Sequence, residues 1–152
     1  MDIEDKLASK GLMLPEVAKP LAAYVPAVRS GNYVYTSGQI PLVNGQLKYQ
    51  GKLGKEISPE DGYEAAKVCA LNCLAAIKSV VGDLDRVARI VKVTGFVNSA
   101  PGFNAQPKVV NGASELLSEI FDEAGRHARS AVGVSDLPVD AAVEVEVIAE
   151  VK

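Results

Sequence analysis

The nine residues Val143-Glu-Val-Glu-Val-Ile-Ala-Glu-Val151 near the C-terminus alternate apolar and polar almost without a break. A period of two over such a length fits a β-strand with one apolar face against a core. Val143, Val145, Val147, Ala149 and Val151 share that face, and Glu144, Glu146, Ile148 and Glu150 share the other. The preceding stretch, Arg129-Ser-Ala-Val-Gly-Val134, reads as a second strand joined to the first through a short turn containing Pro138. As a hairpin, the two would be neighbours in the sheet. If Val132 and Val134 join the valine face, Arg129 and Glu144 emerge together on the opposite one. From pattern alone that opposite face reads as solvated and carrying scattered charges, because half-exposed antiparallel sheets are common.

The rest of the chain supplies the other layer. Ser58-Pro59-Glu60-Asp61 is a helix start: Ser58 caps, Pro59 suits the first helical position, and the two acids sit at the positive end of the dipole. Ala66, Cys69, Ala70, Cys73, Leu74, Ile77 and Val81 follow at helical spacing, and Gly82 is a stop. Arg86–Val97 reads as a strand with Val87, Val91, Val93 and Val97 on one face. A second helix begins near Asn104–Pro107. Its stripe is Val109, Val110, Ala113, Leu116, Leu117, Ile120 and Phe121, and Gly125 is its expected stop. Upstream, Ala23–Arg29 and Tyr33–Ser37 flank a Ser30-Gly31-Asn32 turn, with Pro26 confining the first strand to an edge or a bulge. Asn44-Gly45 is a strong hairpin turn. A short helix is expected near Asp2–Lys10, followed by an extended arm through Leu12–Leu14 that is free to wrap a partner subunit. Two singly striped helices cover one sheet face, so the expected fold class is α+β, a two-layer sandwich. The other face would carry Ala131, Gly133 and Ile148 beside Arg129 and Glu144, a mixture pointing to a subunit interface.

The 152 residues fit a single domain. A net charge of −3 argues against a dedicated nucleic-acid binder. No apolar run reaches membrane-spanning length, and the N-terminus Met-Asp-Ile-Glu-Asp-Lys lacks an apolar signal core, so a cytoplasmic protein is expected. Cys69 and Cys73 share a helix face. A metal or redox pair is one reading, but no second Cys or His cluster completes a metal site, and buried core thiols are the simpler one. The single His127 sits at a helix end, where protonation is favoured and service as a general base is not. Neither a Walker loop nor GxGxxG is found. What remains is an Arg able to grip a carboxylate bidentately, a Glu able to hold a water, and several hydroxyls. That supports a site for a small anionic ligand, open to hydrolysis.

Four motifs in order then carry a resemblance: Tyr24; Thr36-Ser-Gly-Gln-Ile-Pro41; the strand ending Phe96-Val97 with Asn111 on the helix after it; and Ala128-Arg129-Ser130-x-Val132 followed by Leu137-Pro138 and Val143-Glu144-Val145. Together they resemble the RidA (YjgF) family of enamine/imine deaminases and relatives, across roughly residues 20–151. The arm over residues 1–20, Gly95–Phe103 and Gly125–Ser130 resemble a longer, functionally unassigned subgroup, once labelled endoribonuclease L-PSP. The resemblance implies a chorismate-mutase-like fold, a mixed β-sheet covered on one face by two helices. It implies a homotrimer with sites between subunits and no metal or cofactor. Arg129 would bind the substrate carboxylate; Glu144 and the Ala131 carbonyl would position the attacking water. Tyr24, Ser37, Gly38 and Asn111 would shape the pocket. Where the family often has Cys, this chain has Ala131, which keeps the carbonyl and loses the thiol. The implied reaction is hydrolysis of 2-imino acids to 2-oxo acids and ammonia. A non-catalytic binder of small carboxylates is the alternative, and an endoribonuclease or translation inhibitor is disfavoured by the acidic charge.

Overall fold

The computed structural model describes residues 2–20 and 22–152; Met1, the first residue of the expected arm, and Leu21 lie outside the described residues. Among the described residues there are three α-helices: α1 Ile3–Ser9, α2 Pro59–Val81 and α3 Gln106–Phe121. The strands are β1 Ala27–Ser30, β2 Tyr33–Thr36, β3 Leu42–Val43, β4 Gln46–Leu47, β5 Val87–Asn98, β6 Ala128–Val134 and β7 Val143–Val151. β3 and β4 form a separate two-stranded ribbon across the Asn44-Gly45 turn, where both residues have positive φ (53° and 77°). The main sheet runs β1-β2-β7-β5-β6. Only β5 and β6 are parallel, so the sheet is mixed.

The expected architecture is present: α2 and α3 lie against one face of this sheet, giving an α+β two-layer sandwich. Ser58 accepts the Asp61 amide at 3.1 Å and starts α2, and Gly82 ends it with a φ of 86°. The predicted stripes of both helices are buried throughout. The helices approach so closely that a Cβ on Gly112 would lie 1.9 Å from the Tyr63 carbonyl oxygen. Cys69 and Cys73 are buried free thiols facing β7, with their Sγ atoms 3.6 and 3.3 Å from the carbonyls of Val143 and Val145. Burial pushes both thiols well up, Cys73 to about 12, so neither is a thiolate at neutral pH. β7 occupies the centre of the sheet, with all five residues of its valine face buried.

Three expectations fail, each for a local reason. The C-terminal hairpin does not form: β5 lies between β6 and β7. β5, α3 and β6 make a parallel crossover, and residues 135–142 carry the chain over the end of β5 to begin β7 on its far side. Buried Asn98 at that end pins this connection by donating to Gly51 O, Asp140 Oδ1 and Ala141 O at 3.0–3.2 Å. Val139 and Asp140 within it are left-handed, with φ of 52° and 58°. Second, Ile90 replaces Val91 on the core face of β5, because register shifts between Val87/Arg89 and Ile90/Lys92 move the alternation by a residue. Third, α3 stops at Phe121 rather than running to Gly125: Asp122 has a φ of 54° and residues 122–125 form a 3-10 turn.

The N-terminal arm folds partly onto its own chain. Leu7 of α1 is fully buried, Lys6 Nζ pairs with Asp122 at 2.7 Å, and Lys78 pairs with Glu4 at 2.5 Å. Among the described residues no helix is long and apolar enough to cross a membrane.

Candidate functional site

Paired residues on neighbouring strands point to the same sheet face. Arg129 pairs with Val93, which is fully buried under the helices. Glu144 pairs with Phe96, which in turn pairs with Val132 on β6. Val132 is 43% exposed. Arg129 therefore points to the helix side and Glu144 to the open side, so the expectation that they share a face is corrected. The error lay in assigning Val132 to the core. On this edge strand the core-side residues are Arg129, Ala131 and Gly133, and the large apolar residue is outside. The open face carries Ile148 as expected, with Val132, Phe96, Tyr33 and Tyr35 in place of Ala131 and Gly133.

The sequence-predicted site residues consequently fall into two groups. The first gathers around Arg129, where β6 meets α3. Its Nη1 donates to Asn111 Oδ1 at 2.8 Å and to Ser114 Oγ at 3.3 Å, while Nη2 makes one long contact with the Pro107 carbonyl at 3.4 Å. Nε donates to no described residue, so the Nε–Nη2 edge remains for a ligand. Asn111 and Ser114 are one helical turn apart on α3, so one face presents both acceptors. Ala131 is half-buried two residues along the same edge strand. His127 closes the group, with Nδ1 2.6 Å from the Gly125 carbonyl and Nε2 2.9 Å from Ser114 Oγ. Burial, helped by the Arg129 charge, holds its pKa below 6.5. The expectation that the helix end would favour protonation is overturned, because α3 stops before reaching it and the ring is desolvated instead. Ser114 was missed; its three-residue spacing from Asn111 was the available signal.

The second group lines a cleft of about 380 Å³. Tyr24, Ser37, Gly38 and Glu144 all contribute, together with Gln39, Pro138 and arm residues Ala18, Lys19 and Pro20. Tyr24 is a half-exposed wall rather than a core aromatic. Ser37 Oγ donates to the Val25 carbonyl at 2.6 Å, which leaves its oxygen available as an acceptor. Gln39 exchanges backbone hydrogen bonds with Val145 at 2.8 and 3.0 Å, fixing this segment beside Glu144. A Cβ at Gly38 would lie 2.2 Å from Glu144 Oε2, so any side chain there would displace the Glu144 carboxylate from its present position. Glu144 makes no ion pair or hydrogen bond with a described residue. Desolvation, then the charge of Glu146, raises its pKa above 4.5. Gln39 lies inside a quoted motif but was not expected in the cleft; the arm residues carried no sequence signal. No cluster of three metal-ligating side chains occurs among the described residues.

In chemical terms, one group offers an aimed guanidinium and the other an unpaired, partly desolvated carboxylate able to accept a proton. Within one chain they stand on opposite faces of the sheet.

Comparison with known proteins agrees with this fold. Residues 4–151 match the sequence model described as "YjgF/chorismate_mutase-like, putative endoribonuclease". Protein TCP17 of Trypanosoma cruzi is 45% identical over 141 residues, covering 92% of this chain and 88% of that one. A 2-iminobutanoate/2-iminopropanoate deaminase of Dermatophagoides farinae is 30% identical over 135 residues, covering 88% and 90%. A solved Shewanella oneidensis MR-1 structure, also described in endoribonuclease terms, superposes with a TM-score of 0.96 at 38% identity, covering 99% of this chain and all of that one. On the family match, the shared fold and these relatives, the chain belongs to the YjgF/RidA family of chorismate-mutase-like proteins.

Proposed function

We propose that the protein is a hydrolytic deaminase of 2-imino and enamine acids, acting as a homotrimer in the cytoplasm. The observation that carries this reading is the division of the site. Arg129 is aimed by α3 at the sheet edge, Glu144 lies unpaired in a cleft on the other face, and neither half is a site alone. A second copy that brings its Arg129 group to the Glu144 cleft completes one. The apolar open face, with Tyr33, Tyr35 and Val132 each more than 40% exposed, is the surface such an assembly would cover. The deaminase relative supplies the substrate class.

In this reading the Nε–Nη2 edge of Arg129 holds the substrate carboxylate bidentately. Tyr24, Ser37, Gly38 and Asn111 shape the pocket around it. Glu144 and the Ala131 carbonyl orient a water against C2 of the imine. As the water oxygen bonds to C2, Glu144 takes one of its protons and passes it to nitrogen, which receives the C=N π pair. In the resulting carbinolamine Glu144 carries the hydroxyl proton to nitrogen, the C–N bond breaks with its electron pair leaving on ammonia, and the C=O of the 2-oxo acid forms. The imine is already electrophilic, so orientation and proton transfer supply the catalysis.

The test is direct. With 2-aminoacrylate generated in situ, the pure protein should accelerate pyruvate formation well beyond the spontaneous rate. No acceleration on any imino acid, together with retained 2-oxo acid binding, would replace the deaminase with a carboxylate-binding module.

A further inference from the structure

We infer that Ser114 and His127 are positioning residues for Arg129, selecting through one directed hydrogen-bond chain which edge of the guanidinium is offered to a ligand. The inference rests on the reading of Arg129 as the carboxylate anchor. Its direction follows from the donors and acceptors. The Gly125 carbonyl can only accept, so His127 Nδ1, 2.6 Å away, carries the ring proton. In the neutral ring Nε2 must then accept, and the group 2.9 Å from it is the Ser114 hydroxyl. Ser114 therefore spends its proton on His127 and turns its lone pairs towards Arg129 Nη1 at 3.3 Å. Asn111 Oδ1 takes the other Nη1 proton at 2.8 Å. With both Nη1 protons engaged, rotation of the planar guanidinium about Cδ–Nε and the side-chain bonds before it is restricted, and the Nε–Nη2 edge is the one left facing outward.

The rest of the local structure favours this chain over its reverse. A reversed chain needs Nδ1 to accept, which sets its lone pair against the Gly125 oxygen. Burial and the adjacent guanidinium both oppose a doubly protonated ring. The elements are also independent of one another: Ser114 comes from α3, His127 from the turn leading into β6, and Arg129 from β6 itself. The sheet ladder does not require the side chains to meet. Without Ser114 the guanidinium would keep Asn111 on one Nη1 proton and only the long Nη2 contact with the Pro107 carbonyl, a looser hold on the fork.

Because His127 is the only histidine, its ring can be read without assignment ambiguity. The experiment combines the ¹⁵N spectrum of the imidazole with calorimetric titration of pyruvate into the intact assembly. Wild type should show the Nδ1–H tautomer at neutral pH, and its ring resonances should move when pyruvate binds. Ser114→Ala should weaken pyruvate affinity roughly two- to tenfold, as expected for one neutral hydrogen bond, without changing the assembly mass. Ser114→Thr, which restores the hydroxyl, should recover most of it. An Nε2–H tautomer in wild type would overturn the inference without recourse to any variant. So would equal affinity of Ser114→Ala and wild type while Arg129→Lys binds much more weakly, and that result leaves the anchor assignment intact. Equal affinity of Arg129→Lys and wild type would instead remove the anchor, and the inference with it.

Discussion

The neighbourhoods of Arg129 and Glu144 are built on opposite principles. Around Arg129 polar partners are supplied: Asn111, Ser114 and, behind Ser114, His127. Around Glu144 they are withheld. The carboxylate sits half-buried against the backbone of Gly38, with the like charge of Glu146 acting on it and no described hydrogen-bond partner. In the proposed reaction the difference follows from what each group would do. A guanidinium does not lose its proton, so its surroundings need only aim it. A carboxylate that is to take a proton from water must be made more basic, and withdrawing solvent and partners does that.

Changes on the Glu144 side test this contrast most severely. Glu144→Gln removes the proton acceptor and should lower turnover by about 10²–10⁴, measured as 2-oxo acid release. The same substitution should stabilise the fold slightly at neutral pH, because a desolvated charge is removed; a clear loss of stability would mean that Glu144 is held by partners after all. Gly38→Ala pushes a methyl into the carboxylate and should cost on the order of 10²-fold in rate through misplacement, with 2-oxo acid binding largely retained. A smaller effect is expected at Glu146. Glu146→Gln removes the like charge, so Glu144 should titrate at lower pH. The acid limb of the pH–rate profile should then move down while the maximal rate stays nearly unchanged.

The smallest effect is expected at His127, behind Arg129. The folded-state pKa of His127 lies below 6.5, the value expected once the chain unfolds. As pH falls below 6.5 the unfolded chain takes up this proton first. The contribution of His127 to stability is therefore complete above that pH and is lost as pH drops towards the folded-state value. Urea unfolding at about pH 7.5 and about pH 5 should show this loss in wild type and less of it in His127→Gln. An equal loss in both would place the titration elsewhere.

Much of the fold was legible because its signals are local. The Ser58 cap, the Gly82 stop, both helix stripes and the Asn44-Gly45 turn each act within a few residues. The α+β layering followed from the stripes. The strand order was not legible. A Pro-containing connection between two strands has the length of a hairpin loop, and nothing near Pro138 reveals that β5 lies between them. The hold on this connection comes from Asn98, some forty residues away. The misassigned face of β6 has the same origin. On an edge strand an exposed Val132 and a buried-side Arg129 invert the usual pattern, and only the register with Val93 reveals it. Arg129 and Glu144 stood out from the strand pattern and their chemistry and Asn111 came by resemblance, whereas the arm at Ala18–Pro20 and the Ser114–His127 link needed the tertiary structure.

The central claim is that a working site takes its Arg129 group from one copy and its Glu144 cleft from another, and subunit mixing tests it most directly. Arg129→Lys and Glu144→Gln proteins, each nearly inactive alone, would be mixed in equal amounts, allowed to exchange subunits, and assayed for imino-acid hydrolysis. If each site draws its two halves from different copies, about a quarter of the sites in the exchanged assembly regain both native residues. Activity should rise to about that fraction of wild type. Exchange verified by mass with no gain in activity would show that both residues serve the same site from the same chain, and would contradict the account.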